Sequence, residues 1–110
     1  MKFIIDSEVI KGHDKYFLIM NLIADPSINV SNSYEFQKAY SGYYFPAQVK
    51  QNFKDFYFSY MQECRNSTPS FAEILQHIYD YSGEVHYSFA SKLLHTLDPC
   101  SPVLDRHVMR

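Results

Sequence analysis

The sequence predicts an all-α protein, a single small domain of five or six short helices. Apolar residues recur at steps of three and four in several separate segments, which is the spacing of one helix face. Ser, Asp or Asn precedes most of these segments and Gly or Pro follows them, as at helix starts and ends. The chain has 110 residues, 46% of them hydrophobic and 20% charged. We therefore expect one globular domain over residues 1–110, either complete or part of a larger protein.

The beginning of the chain changes pattern after about ten residues. Residues 1–10 alternate weakly and predict a short strand or an extended arm. Asp14 is a candidate N-cap for a first helix that continues to about Ile23 and is ended by Pro26. Because apolar residues cover nearly all of its surface, this helix is predicted to be buried.

Two helices are predicted in the middle of the chain. Residues 31–33 (Ser-Asn-Ser) offer caps for a second helix from Tyr34 to about Ser41, with Gly42 directly after its end. Pro46 suits the first turn of a third helix, the longest. Its apolar stripe consists of Val49, Phe53, Phe56, Tyr57, Tyr60, Met61 and Cys64.

The last part of the chain predicts two further helices and the start of another. Ser70 and Glu73 have the spacing of a capping box, and Gly83 follows the helix that they begin. A fifth helix is predicted from about Tyr87 to Leu97, followed by a rigid turn over residues 98–102. Residues 103–110 are the candidate start of a sixth helix.

Composition excludes several classes of protein. The net charge of −2 gives no overall basic excess of the kind that nucleic-acid-binding surfaces show, although a local basic patch is compatible with it. No apolar run is long enough to predict a membrane span, and the first residues lack the pattern of a signal peptide. Cys64 and Cys100 are far apart, so two free thiols in a reducing cytoplasm are expected. No histidine pattern fits zinc, and we expect neither a metal nor a cofactor.

The aromatic content is unusually high, with 10 Tyr and 9 Phe. Tyr suits both a core and a partner surface, because one end of its side chain is apolar and the other bonds to water. The cluster of Tyr40, Tyr43, Tyr44 and Phe45 is therefore open to three interpretations. It is a core plug, a dimer surface or a platform on which bases stack.

Charged groups gather in a recognisable order near the end of the chain. Asp105 stands there between apolar residues, beside Arg106, His107 and Arg110. A carboxylate in an apolar, partly dry site can stabilise positive charge or activate a water molecule. The alternative is that Asp105 caps a helix that follows the loop at Pro102.

Three segments near the end of the chain follow one another in a characteristic order. Residues 81–86 form a short turn, residues 89–96 lie in the predicted fifth helix, and residues 104–110 read Leu-Asp-Arg-His-Val-Met-Arg. This tail, from about Ser82 to Arg110, resembles the helix-hairpin-helix (HhH-GPD) DNA glycosylase superfamily, and the resemblance places the hairpin at residues 81–86. The resemblance implies DNA binding and base release, with Asp105 as the catalytic residue. It implies nucleic-acid contacts for Val85, His86, Lys92, Arg106, His107 and Arg110.

The hairpin departs from that family's pattern. Glu84 and His86 stand where the family has glycines, which let the backbone approach a phosphate closely. Ser88 stands at the position of the lyase-type lysine, so a Schiff-base mechanism is not implied. From the residues alone, Lys92 has the simpler interpretation of an exposed side chain on the fifth helix, and the histidines that of surface or capping residues.

Two functions follow from these observations, and they leave enzymatic activity undecided. The first is a DNA-glycosylase-like DNA-binding domain, active or degenerate, whose partner is DNA. The second is a protein-interaction module or homodimer that uses an aromatic-rich face and has no catalytic role. The order of elements and the Asp105 segment favour the first function. The acidic balance and the missing hairpin glycines favour the second.

Overall fold

The computed structural model describes residues 7–103, with side chains from residue 14 onward. This range contains five helices and no strand, so the predicted all-α class is confirmed. The candidate sixth helix falls almost entirely on residues 104–110, outside the described residues. The helices are α1 (Ser7–Ala24), α2 (Tyr34–Tyr44), α3 (Gln51–Cys64), α4 (Phe71–Ser82) and α5 (Tyr87–Leu97).

The first helix is longer and more exposed than its sequence predicts. It begins at Ser7, so the strand or arm predicted for residues 1–10 is wrong over residues 7–10, and Asp14 lies inside the helix. Ile19 is fully buried, whereas Phe17 is 59% exposed. Helix α1 packs against α2 and α5, and its Leu18, Met20, Leu22 and Ile23 are only partly buried against the core.

The boundaries of α2 and α3 differ from their predictions in one common way. Ser33 caps α2 as predicted, and its hydroxyl accepts a hydrogen bond from Phe36 N at 3.2 Å. Gly42, however, lies inside α2, which continues to Tyr44. The Pro46 carbonyl accepts from Val49 N in a turn, so α3 begins at Gln51 and not near Pro46. The end of α2 and the start of α3 therefore both lie further along the chain than predicted.

The ends of α4 and α5 agree with their predictions. Ser70 and Glu73 form a reciprocal capping box, with Ser70 N donating to Glu73 Oε1 at 3.0 Å and Glu73 N to Ser70 Oγ at 3.2 Å. Gly83 ends α4 in the left-handed conformation at φ 77°. A residue without Cβ adopts this conformation at little cost.

Helix α3 lies at the centre of the core and contacts α2, α4 and α5 through aromatic rings. Tyr57 is fully buried, and its hydroxyl donates to the Phe89 carbonyl on α5 at 2.7 Å. The Tyr40 hydroxyl on α2 lies 2.8 Å from the Tyr57 hydroxyl. Tyr44 and Phe45 pack around this pair, whereas Tyr43 is 41% exposed. Most of the aromatic cluster is therefore part of the core.

Arg65, directly after α3, fastens the loop between α1 and α2. Its guanidinium donates to the carbonyls of Ile23 and Asp25 at 2.7 and 2.8 Å and also to the Ile28 carbonyl. The first two carbonyls belong to the end of α1, where backbone acceptors lack helical partners. Arg65, which is distant from α1 in the sequence, thus supplies hydrogen-bond donors for the carbonyls at the end of α1.

Candidate interaction surface at the turn between α4 and α5

The turn between α4 and α5 spans residues 83–86, where the sequence predicts a hairpin. Gly83 N donates to the Tyr79 carbonyl at 2.7 Å. The Ser82 hydroxyl lies 2.8 Å from the Ile78 carbonyl and accepts from Glu84 N at 3.2 Å. The turn is thus held by one backbone bond and by the Ser82 hydroxyl, and none of these contacts uses the side chains of Glu84, Val85 or His86.

The tip of this turn carries an acidic, an apolar and an imidazole side chain in succession. Val85, between the other two, is 52% exposed. Glu84 Oε2 lies 3.5 Å from His86 Nε2, the one ion-pair geometry among the described side chains. The His86 ring packs on the rings of Phe53 and Phe89, with centroids 5.8 and 5.2 Å apart. His86 is thus half-buried, and its ring is held by the rings of Phe53 and Phe89.

Exposed apolar side chains concentrate around this turn. Among the described side chains, seven large hydrophobic residues are strongly exposed, and four of them fall within residues 79–87. These four are 45–57% exposed and occupy the last turn of α4, the tip and the first residue of α5. We call this set the 79–87 surface: Tyr79, Tyr81, Val85 and Tyr87.

A stack of four nearly parallel rings supports the surface from α3. The Tyr81 ring lies 4.0 Å from that of Phe56, and the Tyr60 ring lies 3.9 Å from that of His77. The two pairs are in contact through Phe56 and His77, whose ring centroids lie 5.4 Å apart with 12° between the ring planes. The stack therefore alternates between α3 and α4, and it fixes the end of α4 on which the turn is built.

The electrostatic character of this region is acidic. Residues 79–90 contain Asp80 and Glu84 and neither Lys nor Arg. At the other end of the stack, burial raises the pKa of the Tyr60 hydroxyl, and the nearby Glu63 and Glu73 carboxylates raise it further. The surface thus presents apolar rings and carboxylates, which is unfavourable for a phosphate backbone.

Lys92 does not have the exposed position that its simpler interpretation gives it. Its side chain is only 8% exposed, and Nζ donates to the Tyr44 carbonyl at 3.1 Å. The ammonium also lies over the rings of Tyr44 and Phe89, 5.7 and 5.6 Å from their centroids. Packing of α5 against the aromatic core encloses the lysine, because the residue lies on the buried face of that helix.

The predicted site residues are only partly brought together. Val85 and His86 share the turn, whereas Lys92 lies in the interior beside Tyr44. The catalytic candidate Asp105 lies outside the described residues, as do Arg106, His107 and Arg110. The nucleic-acid contacts assigned to these positions stay predictions.

The two cysteines lie in different environments, and the described side chains form no metal site. Cys64 is buried in the α3 stripe, and burial raises the pKa of its thiol, which makes it a poor nucleophile. Cys100 is exposed in the turn after α5. Over residues 14–103, no group of three or more His, Cys, Asp or Glu side chains converges as a metal site would require.

Sequence reasoning overlooked the aromatic stack and the exposure of the 79–87 surface. A signal for the stack was present, because Phe56 and Tyr60 are four residues apart on α3, as are His77 and Tyr81 on α4. Residues at this spacing lie on one face of a helix. The exposure of Tyr79 and Tyr87 had no such signal, since both fit an apolar helical pattern.

None of the five described helices combines the length and the hydropathy that crossing a bilayer requires. Comparison of the chain with models of protein families, with curated proteins and with solved structures yields no match.

Proposed function

We propose that this protein is an interaction module without a catalytic role and that its partner is a second copy of the same chain, bound through the 79–87 surface. The observation that carries the proposal is the concentration of exposed Tyr79, Tyr81, Val85 and Tyr87 around one turn. Tyrosine is enriched in the centres of protein interfaces, where its ring is buried and its hydroxyl finds a partner.

The order of charges at the tip supports self-association. A two-fold axis that passes through Val85 perpendicular to the chain would set each Glu84 against His86 of the other copy, because contacts across such an axis are reciprocal. The same arrangement puts the two Val85 side chains together at the centre. The tip is therefore complementary to itself in both charge and polarity.

Sedimentation velocity over a concentration series tests this proposal. We expect a monomer–dimer equilibrium for the wild type. The double variant Val85→Asp/Tyr87→Ser should be monomeric at every concentration, since it places like charges and polar groups at the centre. Tyr34→Ser is the matched control, because it removes an exposed tyrosine of α2 and should leave the dimer intact. A wild-type chain that stays monomeric throughout would refute the proposal.

DNA binding is a second candidate, favoured by the sequence of α4, a four-residue turn and α5. This order is the one that the helix-hairpin-helix resemblance implies. Binding to short duplex DNA, with and without an abasic site, over a salt series tests it. Affinity that falls steeply with salt and improves at the lesion would support this candidate. Base release should then be abolished by Asp105→Asn with folding unchanged. Absence of binding at low salt would exclude it.

A further inference from the structure

A groove between α2 and α3 has no part in the surface described above. Its volume is about 320 Å³. Tyr34, Lys38 and Ser41 of α2 form one wall, Gln51 and Lys54 of α3 form the other, and the buried Phe58 lies beneath. The groove therefore has an apolar floor and polar walls.

The walls of this groove carry positive charge only. Lys38 and Lys54 come from different helices, and neither forms an ion pair with a described carboxylate. Lys38 Nζ lies 5.8 Å from the centroid of the Tyr34 ring, which holds a cation at the rim. Asp55 accepts from Gln51 Nε2 at 2.8 Å and is not among the lining residues. The groove is therefore a local region of positive charge in a chain whose net charge is −2.

We propose that this groove binds a phosphoryl group, with Lys38 and Lys54 as its cationic ligands and the Ser41 hydroxyl as a further donor. Two ammonium groups on facing walls match the double negative charge of a phosphate monoester or of free phosphate, and lysine binds phosphate as a point charge. Small-molecule sites have volumes of roughly 300–1,000 Å³, so this groove is large enough for a small ligand.

An NMR titration of ¹⁵N-labelled protein tests the proposal, with ribose 5-phosphate and inorganic phosphate as probes and ribose as the uncharged control. We expect saturable shifts at the amides of Lys38, Ser41, Gln51 and Lys54 with both phosphates and none with ribose. The probe with the lower Kd shows whether the groove prefers a phosphate monoester or free phosphate. Affinity should fall as salt is added, because the attraction is between exposed charges.

Charge-neutral variants locate the binding. Lys38→Gln and Lys54→Gln should each weaken binding about tenfold, the loss expected for one charge-assisted hydrogen bond. Lys15→Gln on α1 removes the same charge outside the groove and should bind as the wild type does. The proposal is overturned by a titration without saturable shifts, by shifts located elsewhere, or by equal effects of the three variants. The wild-type shift map decides this even if a variant does not fold.

Discussion

The paired hydroxyls of Tyr40 and Tyr57 allow a quantitative test of how the core is held together. Tyr57 donates to the Phe89 carbonyl, so its oxygen is the acceptor for the hydrogen of Tyr40, and both side chains are fully buried. Tyr57→Phe removes the bond to Phe89 and leaves the Tyr40 hydroxyl without this acceptor. At about 1 kcal/mol for each loss, the free energy of unfolding should fall by about 2 kcal/mol.

The companion variants separate these two losses. Tyr40→Phe removes one bond and leaves Tyr57 bound to Phe89, so it should cost about 1 kcal/mol. In the double variant no orphaned hydroxyl remains, and the cost should be about 2 kcal/mol rather than the sum of about 3. The expected coupling energy is therefore about 1 kcal/mol.

Urea unfolding followed by far-ultraviolet circular dichroism measures all four proteins. The dependence of the unfolding free energy on urea should be the same for each, because the exposed surface hardly changes. Additive costs, with the double variant losing the full sum, would refute the argument that the two hydroxyls satisfy one another.

Three further predictions concern stability. Arg65→Met removes the donors for the carbonyls at the end of α1, so it should lower the free energy of unfolding by about 2–4 kcal/mol in urea titrations, with only partial recovery in Arg65→Lys. Hydrogen bonds with Ser70 lower the pKa of Glu73 below 4.5, so the stabilisation of the fold by the Glu73 carboxylate is complete above pH 4.5 and is lost as pH falls through the lowered pKa. The free energy of unfolding of Glu73→Gln, measured beside that of the wild type from pH 7 to pH 3, should lack this contribution to the pH dependence. Gly83→Ala should cost about 1 kcal/mol because of its positive φ, although a Cβ there meets no neighbouring atom. Gly42→Ala inside α2 places a Cβ 3.1 Å from Lys15 Nζ, the end of a flexible side chain that can move aside, so it should stabilise the protein by about 0.5–1 kcal/mol. Thermal melts of the two variants should therefore shift in opposite directions.

Local signals predicted the second half of the fold well. The capping box at Ser70 and Glu73 and the glycine at position 83 fix the ends of α4 by hydrogen bonds within a few residues. Such bonds depend on the nearby sequence alone, so they can be recognised before the fold is known. The bounds of α5, which has no side-chain cap, were predicted from its apolar spacing and from the turn at Pro99 that follows it.

Tertiary contacts decided the features that the sequence did not disclose. Gly42 is compatible with a helix end, but α2 continues past it to Tyr44, whose ring packs on Tyr40, and Tyr40 in turn packs on Tyr57 of α3. Lys92 has the composition of a surface residue, and the rings of Tyr44 and Phe89 enclose it. The partner that covers a residue comes from another helix, so no local pattern reports it.

Disulfide trapping at position 85 tests the proposed dimer most directly. Val85→Cys is placed in a chain that also carries Cys100→Ser, which removes the exposed native thiol. If the two-fold axis passes through the tip, mild oxidation should give covalent dimers rapidly, because the two thiols lie together. Tyr34→Cys in the same background, an exposed position on α2, should cross-link slowly. Equal rates for the two positions would contradict self-association through the 79–87 surface.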